Sequence, residues 1–154
     1  MRLTQYTDYA LRVLVYLALQ DRRTTIGEIS EAYAISRNHL MKVVNELGHL
    51  GYVTTVRGKG GGLVLARLPA EIRIGTLVRQ LEKDLALVEC FAAETCRCRI
   101  ADGCRLKPIF EEALAAFFAV LDAYTLADVL KNGHCLRELL RLAERQVELP
   151  PLAG

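Results

Sequence analysis

The residues with the most chemistry to offer lie between positions 90 and 104, Cys90-Phe-Ala-Ala-Glu-Thr-Cys96-Arg-Cys98-Arg-Ile-Ala-Asp-Gly-Cys104. Four of the five cysteines of the chain fall in this stretch, with Arg97, Arg99 and Arg105 interleaved. Thiolates at such spacing can converge on a soft cation or an iron–sulfur centre, because one loop can fold several sulfurs around a single point. Positive neighbours favour the deprotonated, ligating form of a thiol. A disulfide framework is the competing reading, but nothing suggests secretion and disulfides are rare in the cytosol. Structural zinc competes more strongly, although paired C-x-x-C knuckles are absent. The metal reading is preferred to an inert or disulfide role.

Such a loop needs a scaffold, and 154 residues give room for one good core, or a small domain with an appended element. An apolar fraction of 52% with 25% charged residues is that of a folded globular protein. No secretory signal is visible in Met1-Arg2-Leu3-Thr4, which leads directly into an amphipathic pattern. No apolar run approaches the ~20 residues that cross a bilayer. A soluble, cytoplasmic protein without a membrane partner is expected. The net charge of +2 divides unevenly: residues 1–70 hold nine Lys/Arg against five Asp/Glu, and residues 71–154 eleven against thirteen. The first half could therefore approach phosphates.

Helical periodicity begins at once. Thr4 is a natural N-cap for a helix over Gln5 to Leu19, with Tyr6, Ala10, Val13, Leu14 and Leu17 on one face. Asp8 falls near its first turn, where a negative charge suits the helix dipole. Asp21-Arg22-Arg23 reads as a polar turn. Thr25 and Glu28 form a capping box for a helix over Ile26 to Tyr33, and Ser36 caps another over Arg37 to Leu47. Two short helices joined by a tight turn are a helix-turn-helix pattern. In the second, Leu40, Val43, Val44 and Leu47 make a buried face, while Arg37, Asn38, His39, Lys42 and Asn45 occupy the remainder. Arg and Asn suit base edges, and Lys suits phosphates.

Tyr52-Val53-Thr54-Thr55-Val56 then reads as a strand, Arg57-Gly58-Lys59-Gly60-Gly61-Gly62 as a basic flexible tip, and Leu63-Val64-Leu65-Ala66 as the returning strand. A helix-turn-helix followed by a basic-tipped hairpin is a winged helix. The glycines let Arg57, Lys59 and Gly60 approach a phosphate backbone closely. A nucleotide-binding phosphate loop is excluded, because the G-x-x-x-x-G-K-[ST] pattern is lacking and no helix follows. Pro69 closes the wing, and Ile74 to Leu81 forms a short amphipathic helix into the cysteine loop. Pro108 can occupy the first turn of a long helix running to about Tyr124. Its stripe of Phe110, Ala113, Leu114, Phe117, Val120, Leu121 and Tyr124 describes a helix packed along its whole length, best against a second copy of the chain. A further amphipathic run (Leu136, Leu139, Leu140, Ala143) leads to a frayed end at Pro150-Pro151. His134 and Cys135 are left unassigned.

The expected architecture is mainly α: a winged helix-turn-helix DNA-binding domain with a two-stranded wing over residues 1–80, a cysteine loop over 81–106, a long dimerisation helix over 107–130 and a tail over 131–154. Three scattered histidines supply no acid–base constellation, so the chain is not read as an enzyme.

Leu3-Thr4-x-x-Thr7-Asp8-Tyr9-Ala10-Leu11-Arg12, Ser36-Arg37-Asn38-His39 and Val56-Arg57-Gly58-Lys59-Gly60-Gly61-Gly62 together resemble the IscR/NsrR (Rrf) family of winged-helix regulators. Cys104-Arg105-Leu106-Lys107 and Tyr124-Thr125-Leu126-Ala127-Asp128 are similar to its nitric-oxide-sensing branch. The likeness runs from residue 1 to about 130. It implies a homodimeric repressor of double-stranded operator DNA, with one iron–sulfur cluster, [4Fe–4S] or [2Fe–2S], in each subunit. Cys98-x5-Cys104 matches two of the three family cysteines and Cys90 the third, which leaves Cys96 as a spare thiol or an alternative ligand. An aspartate on the first helix of the other subunit completes the family's cluster, and Asp8 stands at the matching position. Nitric oxide would then displace the weak carboxylate ligand, free the first helix and end repression. A sibling regulator of iron–sulfur supply would carry a histidine shortly after the third cysteine, and Lys107 and its neighbours offer none. A cysteine-switch or zinc-binding regulator is the remaining alternative.

Overall fold

Thr4 ends an extended segment and turns its hydroxyl oxygen to accept the amide of Thr7, which starts helix α1 (Gln5–Gln20). Apolar residues at helical spacing then bury Ala10, Val13, Leu14 and Leu17 almost completely. The helix stops at Asp21, which adopts the left-handed conformation (φ 50°) and returns its amide to the Leu17 carbonyl. The computed structural model describes residues 2–91 and 96–142. Around α1 are packed the third and fourth helices, the short helix that starts at Leu126 and the second wing strand.

The helix-turn-helix follows the sequence closely. Helix α2 (Ile26–Tyr33) opens on a reciprocal cap: the Glu28 amide donates to the Thr25 hydroxyl oxygen, and the Thr25 amide to the Glu28 carboxylate at 2.7 Å. Burial works to raise the Glu28 carboxyl, but the Thr25 amide and the Arg22 guanidinium outweigh it and hold the group below its ordinary value. Ala34 makes the tight turn in the left-handed conformation (φ 52°), and Ser36 caps α3 (Arg37–His49). Leu40, Val43, Val44 and Leu47 bury one face of α3 as expected.

Strands β1 (Val53–Val56) and β2 (Gly62–Leu65) pair antiparallel, from Val53 opposite Leu65 to Val56 opposite Gly62. Both begin one residue away from the expected starts. Tyr52 links the end of α3 to the hairpin: its amide donates to the Leu47 carbonyl at 2.8 Å, its carbonyl accepts the Ala66 amide at 2.9 Å, and its hydroxyl donates to Gln80 at 2.6 Å. The wing also gains a third edge that the sequence did not suggest. Thr24 exchanges two backbone hydrogen bonds with Leu63, at 3.1 and 2.8 Å, which ties the α1–α2 turn to the sheet.

Helix α4 (Ile74–Leu81) leads out of the wing, and α5 (Leu106–Asp122) lies across it. Their crossing is close. A Cβ on Gly75 would collide with the Asp122 carboxylate, which Arg79 grips through two hydrogen bonds at 2.7 and 2.6 Å. That guanidinium holds the Asp122 carboxyl below its ordinary value, and it also lies 4.1 Å from the centre of the Phe118 ring. Two backbone bonds, Ile74 to the Tyr124 carbonyl and Leu126 to the Ile72 carbonyl, return the chain to the first core. There α6 (Leu126–Val129) buries Leu126, and Leu130, Leu140 and Leu142 pack beside it, flanking α7 (Gly133–Leu139). Of the tail run, Leu139 is exposed, and Ala143 and Pro150-Pro151 lie outside the described residues.

The long-helix stripe divides into two faces. Leu114, Phe117 and Leu121 cover a second cluster with Ile74, Val78 and the deeply buried Phe118, which the stripe had omitted. Ala113, Val120 and Tyr124 are exposed, and with Leu106 and Ile109 they form an outward apolar line. Spacing of three and four residues generates both lines on one helix, so the pattern merged a face used within the chain with one left open.

One joint fixes how α1 meets α4. Glu82, only 8% exposed just past the end of α4, accepts the Thr4 amide at 2.8 Å and the Thr4 hydroxyl at 3.0 Å through the same oxygen. Replacing Glu82 by alanine removes the acceptor and strands the Thr4 amide, and should cost about 1.5–3 kcal/mol. Urea unfolding of Glu82→Ala checks this; Glu82→Gln, which keeps an acceptor oxygen, should lose less.

Candidate nucleic-acid interface and cysteine loop

The side chains expected to meet DNA are exposed on α3 and at the wing tip. Ser36 accepts the His39 amide at 3.4 Å, a capping role that leaves Arg37, Asn38, His39 and Lys42 in solvent. Arg37 stands 3.9 Å from Glu31, a loose surface pair, and its guanidinium packs beside Gly27. The backbone under Lys42 is pinned from α1, because the Tyr6 hydroxyl donates to the Lys42 carbonyl at 3.0 Å. Burial, with Glu46 adding its charge, pushes the Tyr6 hydroxyl up, so it remains a protonated donor at neutral pH. The Tyr9 ring lies 6.2 Å from the His39 ring. The first turns of α1 therefore hold the first turns of α3.

The wing tip is built by its glycines. Gly58 and Gly60 adopt positive φ, 98° and 78°, and the Gly61 amide closes the turn on the Gly58 carbonyl at 2.9 Å. A Cβ on Gly61 would collide with the Val56 carbonyl. Arg57, Lys59 and Gly60 are exposed at this tip. Arg23, read from the sequence only as part of a polar turn, donates from its guanidinium to the Gly60 carbonyl at 3.3 Å and so braces the tip. Its only signal was a positive charge beside Thr24, whose pairing with the wing is invisible to local pattern.

Asp8 lies in the first turn of α1, half-exposed, and pairs with Arg12 one turn later at 2.8 Å. Both line a surface cleft of about 510 Å³ with Arg2, Tyr9 and Tyr33. Burial pushes the Tyr33 hydroxyl up to about 12 although Arg12 opposes it, so this wall of the cleft is a neutral phenol beside an ion pair.

All five thiols are free. Cys90 occupies a short 3-10 turn (Glu89–Phe91) and is half-buried, as are Cys96 and Cys104, while Cys98 is exposed. Cys104 ends a second such turn (Ala101–Gly103), and Cys98 accepts the Ala101 amide on its carbonyl. The Arg97 amide donates to Glu89 at 2.7 Å and ties the two ends of the segment that begins with Cys90. In kind the donors suit a soft metal centre: three thiols at 90, 98 and 104, unpaired, on one tethered loop. They are not gathered. Among the described residues no three His, Cys, Asp or Glu side chains stand close enough together to hold a metal ion. Cys135 is exposed on α7, and His134 lies 3.7 Å from Glu138.

A helix-turn-helix braced against a glycine-built hairpin defines a winged-helix protein. The chain belongs to the Rrf2 family of iron-dependent transcriptional regulators, whose profile matches residues 3–132. It is 53% identical over 143 residues to the HTH-type transcriptional regulator NsrR of Geobacillus kaustophilus strain HTA426, covering 92% of this chain and 97% of that protein. Against the regulator of the same name from Bacillus subtilis strain 168 the identity is 50% over 146 residues, covering 94% and 100%. Among solved structures, T. potens IscR superposes with a TM-score of 0.70 at 24% identity over 97% of each chain. CymR (YrzC), the global cysteine regulator of B. subtilis, superposes at 0.68 with 24% identity, over 86% of this chain and 98% of its own. These structures share the winged-helix fold, and the relatives are transcriptional regulators rather than enzymes, as expected. No helix among the described residues is long and apolar enough to cross a membrane.

The Gly61 contact yields a test of the wing. Gly61→Ala should displace the tip and destabilise the chain by about 1–3 kcal/mol, the usual cost of overpacking. Gly103→Ala, where a Cβ meets nothing within 4 Å, should be nearly neutral. Thermal unfolding of the two variants compares them directly.

Proposed function

We propose that the chain is a homodimeric repressor that holds operator DNA through α3 and the wing, and that nitric oxide releases it through an iron–sulfur cluster, one per subunit. The observation that carries this reading is the set of free thiols at Cys90, Cys98 and Cys104 in a chain about half identical to NsrR regulators. These thiols would hold the cluster with the partner subunit's Asp8, and Cys96 is the spare or alternative donor. When bound, the cluster supplies iron to which nitric oxide bonds. Because these three thiols stand apart, assembly of the centre would have to draw Cys90, Cys98 and Cys104 toward one another.

What the chain itself does follows from its contacts. On DNA, Arg37, Asn38, His39 and Lys42 face the groove and backbone from the start of α3, with Ser36 holding that start in shape. Arg57, Lys59 and Gly60 bring the wing to neighbouring phosphates. The outward line of Leu106, Ile109, Ala113 and Val120 on α5 is the face for a second copy, and two-fold pairing sets two α3 helices for successive grooves. To reach across the dimer Asp8 must leave Arg12. That pair is surface-exposed and worth only about 0–1 kcal/mol, so the exchange is cheap. Engagement of Asp8 would then fix the first turns of α1, which hold α3 through Tyr6 and Tyr9. Its release would loosen that grip and misplace the pair of α3 helices.

Three experiments test the reading. Arg37→Ala and Lys59→Ala should each weaken operator binding and lower its salt slope by about one unit, read from affinity at several salt concentrations. Unchanged slopes in both would mean that DNA docks elsewhere. For the sensor, anaerobic visible spectra with iron and sulfide counted per chain should show a cluster that survives Cys96→Ala and is lost in Cys90→Ala, Cys98→Ala and Cys104→Ala. A mixed dimer of an Asp8→Ala subunit and a Cys98→Ala subunit should retain one normal cluster if ligation crosses the dimer, and none if it does not. A colourless protein that binds DNA alike with and without iron would replace this reading by a cysteine-switch or zinc-binding regulator.

A further inference from the structure

The outer face of α3 is polar with one exception. Asn38, Lys42 and Asn45 are exposed there, and among them stands Met41, 50% exposed. Helical spacing sets Met41 three residues after Asn38 and four before Asn45, so the three share one face of the helix. Met41 packs into neither apolar cluster of the chain, whereas its neighbours Leu40 and Val43 are buried. A single exposed apolar side chain is ordinary on a protein surface. This one occupies the early turns of the helix that faces the major groove, the part that meets base edges.

Within that groove the distinctive apolar group is the C5 methyl of thymine; cytosine, adenine and guanine present donors and acceptors there. A flexible, polarizable thioether is well suited to such a contact, since it can adapt to a methyl whose position is set by the groove. The backbone beneath it is fixed, because Tyr6 donates to the carbonyl of the adjoining Lys42. We propose that Met41 is a specificity-determining residue that packs against a thymine C5 methyl in each operator half-site and so distinguishes a T·A pair from C·G at that step. Asn38 and Asn45 flank it and bond to the neighbouring base edges. The proposal rests on the reading of α3 as the DNA-docking helix, and the experiment separates the two.

The full-length chain, purified anaerobically, is used to enrich binding sites from a random-sequence duplex library. Each thymine of the enriched site is then replaced singly by deoxyuridine, which removes only the methyl group. The wild-type chain should lose affinity by about fourfold at one position of each half-site, the weight of one buried methyl. Met41→Ala should bind more weakly overall and no longer distinguish thymine from uracil at that position, while Met41→Leu should still do so. Far-UV circular dichroism confirms that both variants are folded. Failure to enrich any sequence would overturn the docking of α3 and this contact with it. An enriched site at which no methyl effect is abolished by Met41→Ala would overturn the Met41 contact alone and leave the docking intact.

Discussion

Two hydrogen bonds from Thr4 to the buried carboxylate of Glu82 decide where α1 begins and how it meets the end of α4. Thr4 caps α1, α1 supplies the centre of the main core, and α4 runs directly into the cysteine segment. The start of the helix that bears Asp8 and the start of the loop that bears Cys90 are thus secured at one joint. From that joint α1 reaches α3 through Tyr6, which bonds to the backbone of α3 rather than to a side chain. A backbone contact transmits position regardless of which side chains α3 carries, so the outer face of α3 is free to be specified by what it binds.

The local elements were legible because their signals are local. The Thr25–Glu28 box, the Ser36 cap and the limits of α2 and α4 stand where their residues predict, since each is decided within one turn of chain. The Thr4–Glu82 joint spans 78 residues and has no periodic trace. Nor does the bridge between Thr24 and Leu63, which alone explains why Arg23 reaches the wing. On α5, apolar spacing announced burial but not by what, and Phe118, four residues after Leu114 and three before Leu121, was passed over for its neighbour Phe117 at equally good spacing.

The candidate sensor was legible in its donors and not in its assembly. Cysteine type and spacing are written in the chain, but convergence of sulfurs depends on a loop without periodic structure. Asp8 shows the same division. Its position alone suggested a partner for the helix dipole, the family likeness suggested a ligand for another subunit, and within the chain it rests against Arg12. Local pairing also reshapes the basic half: Arg12 and Arg22 each face a carboxylate at 2.8 and 2.7 Å, whereas Arg37 is held only loosely by Glu31 at 3.9 Å and stays exposed, as Lys42, Arg57 and Lys59 are.

Leu126 lies in the same core as Leu14 and Leu40, although more than half the chain separates it from Leu40. Its amide is bonded to Ile72, at the exit of the wing. The winged portion therefore cannot be cut away after α4 without opening its own interior to water. A segment exchanged between α4 and α6 would have to leave both ends joined, with the Ile74–Tyr124 and Leu126–Ile72 backbone bonds kept. The cysteine segment occupies that interval, between two ends that a single core holds in place.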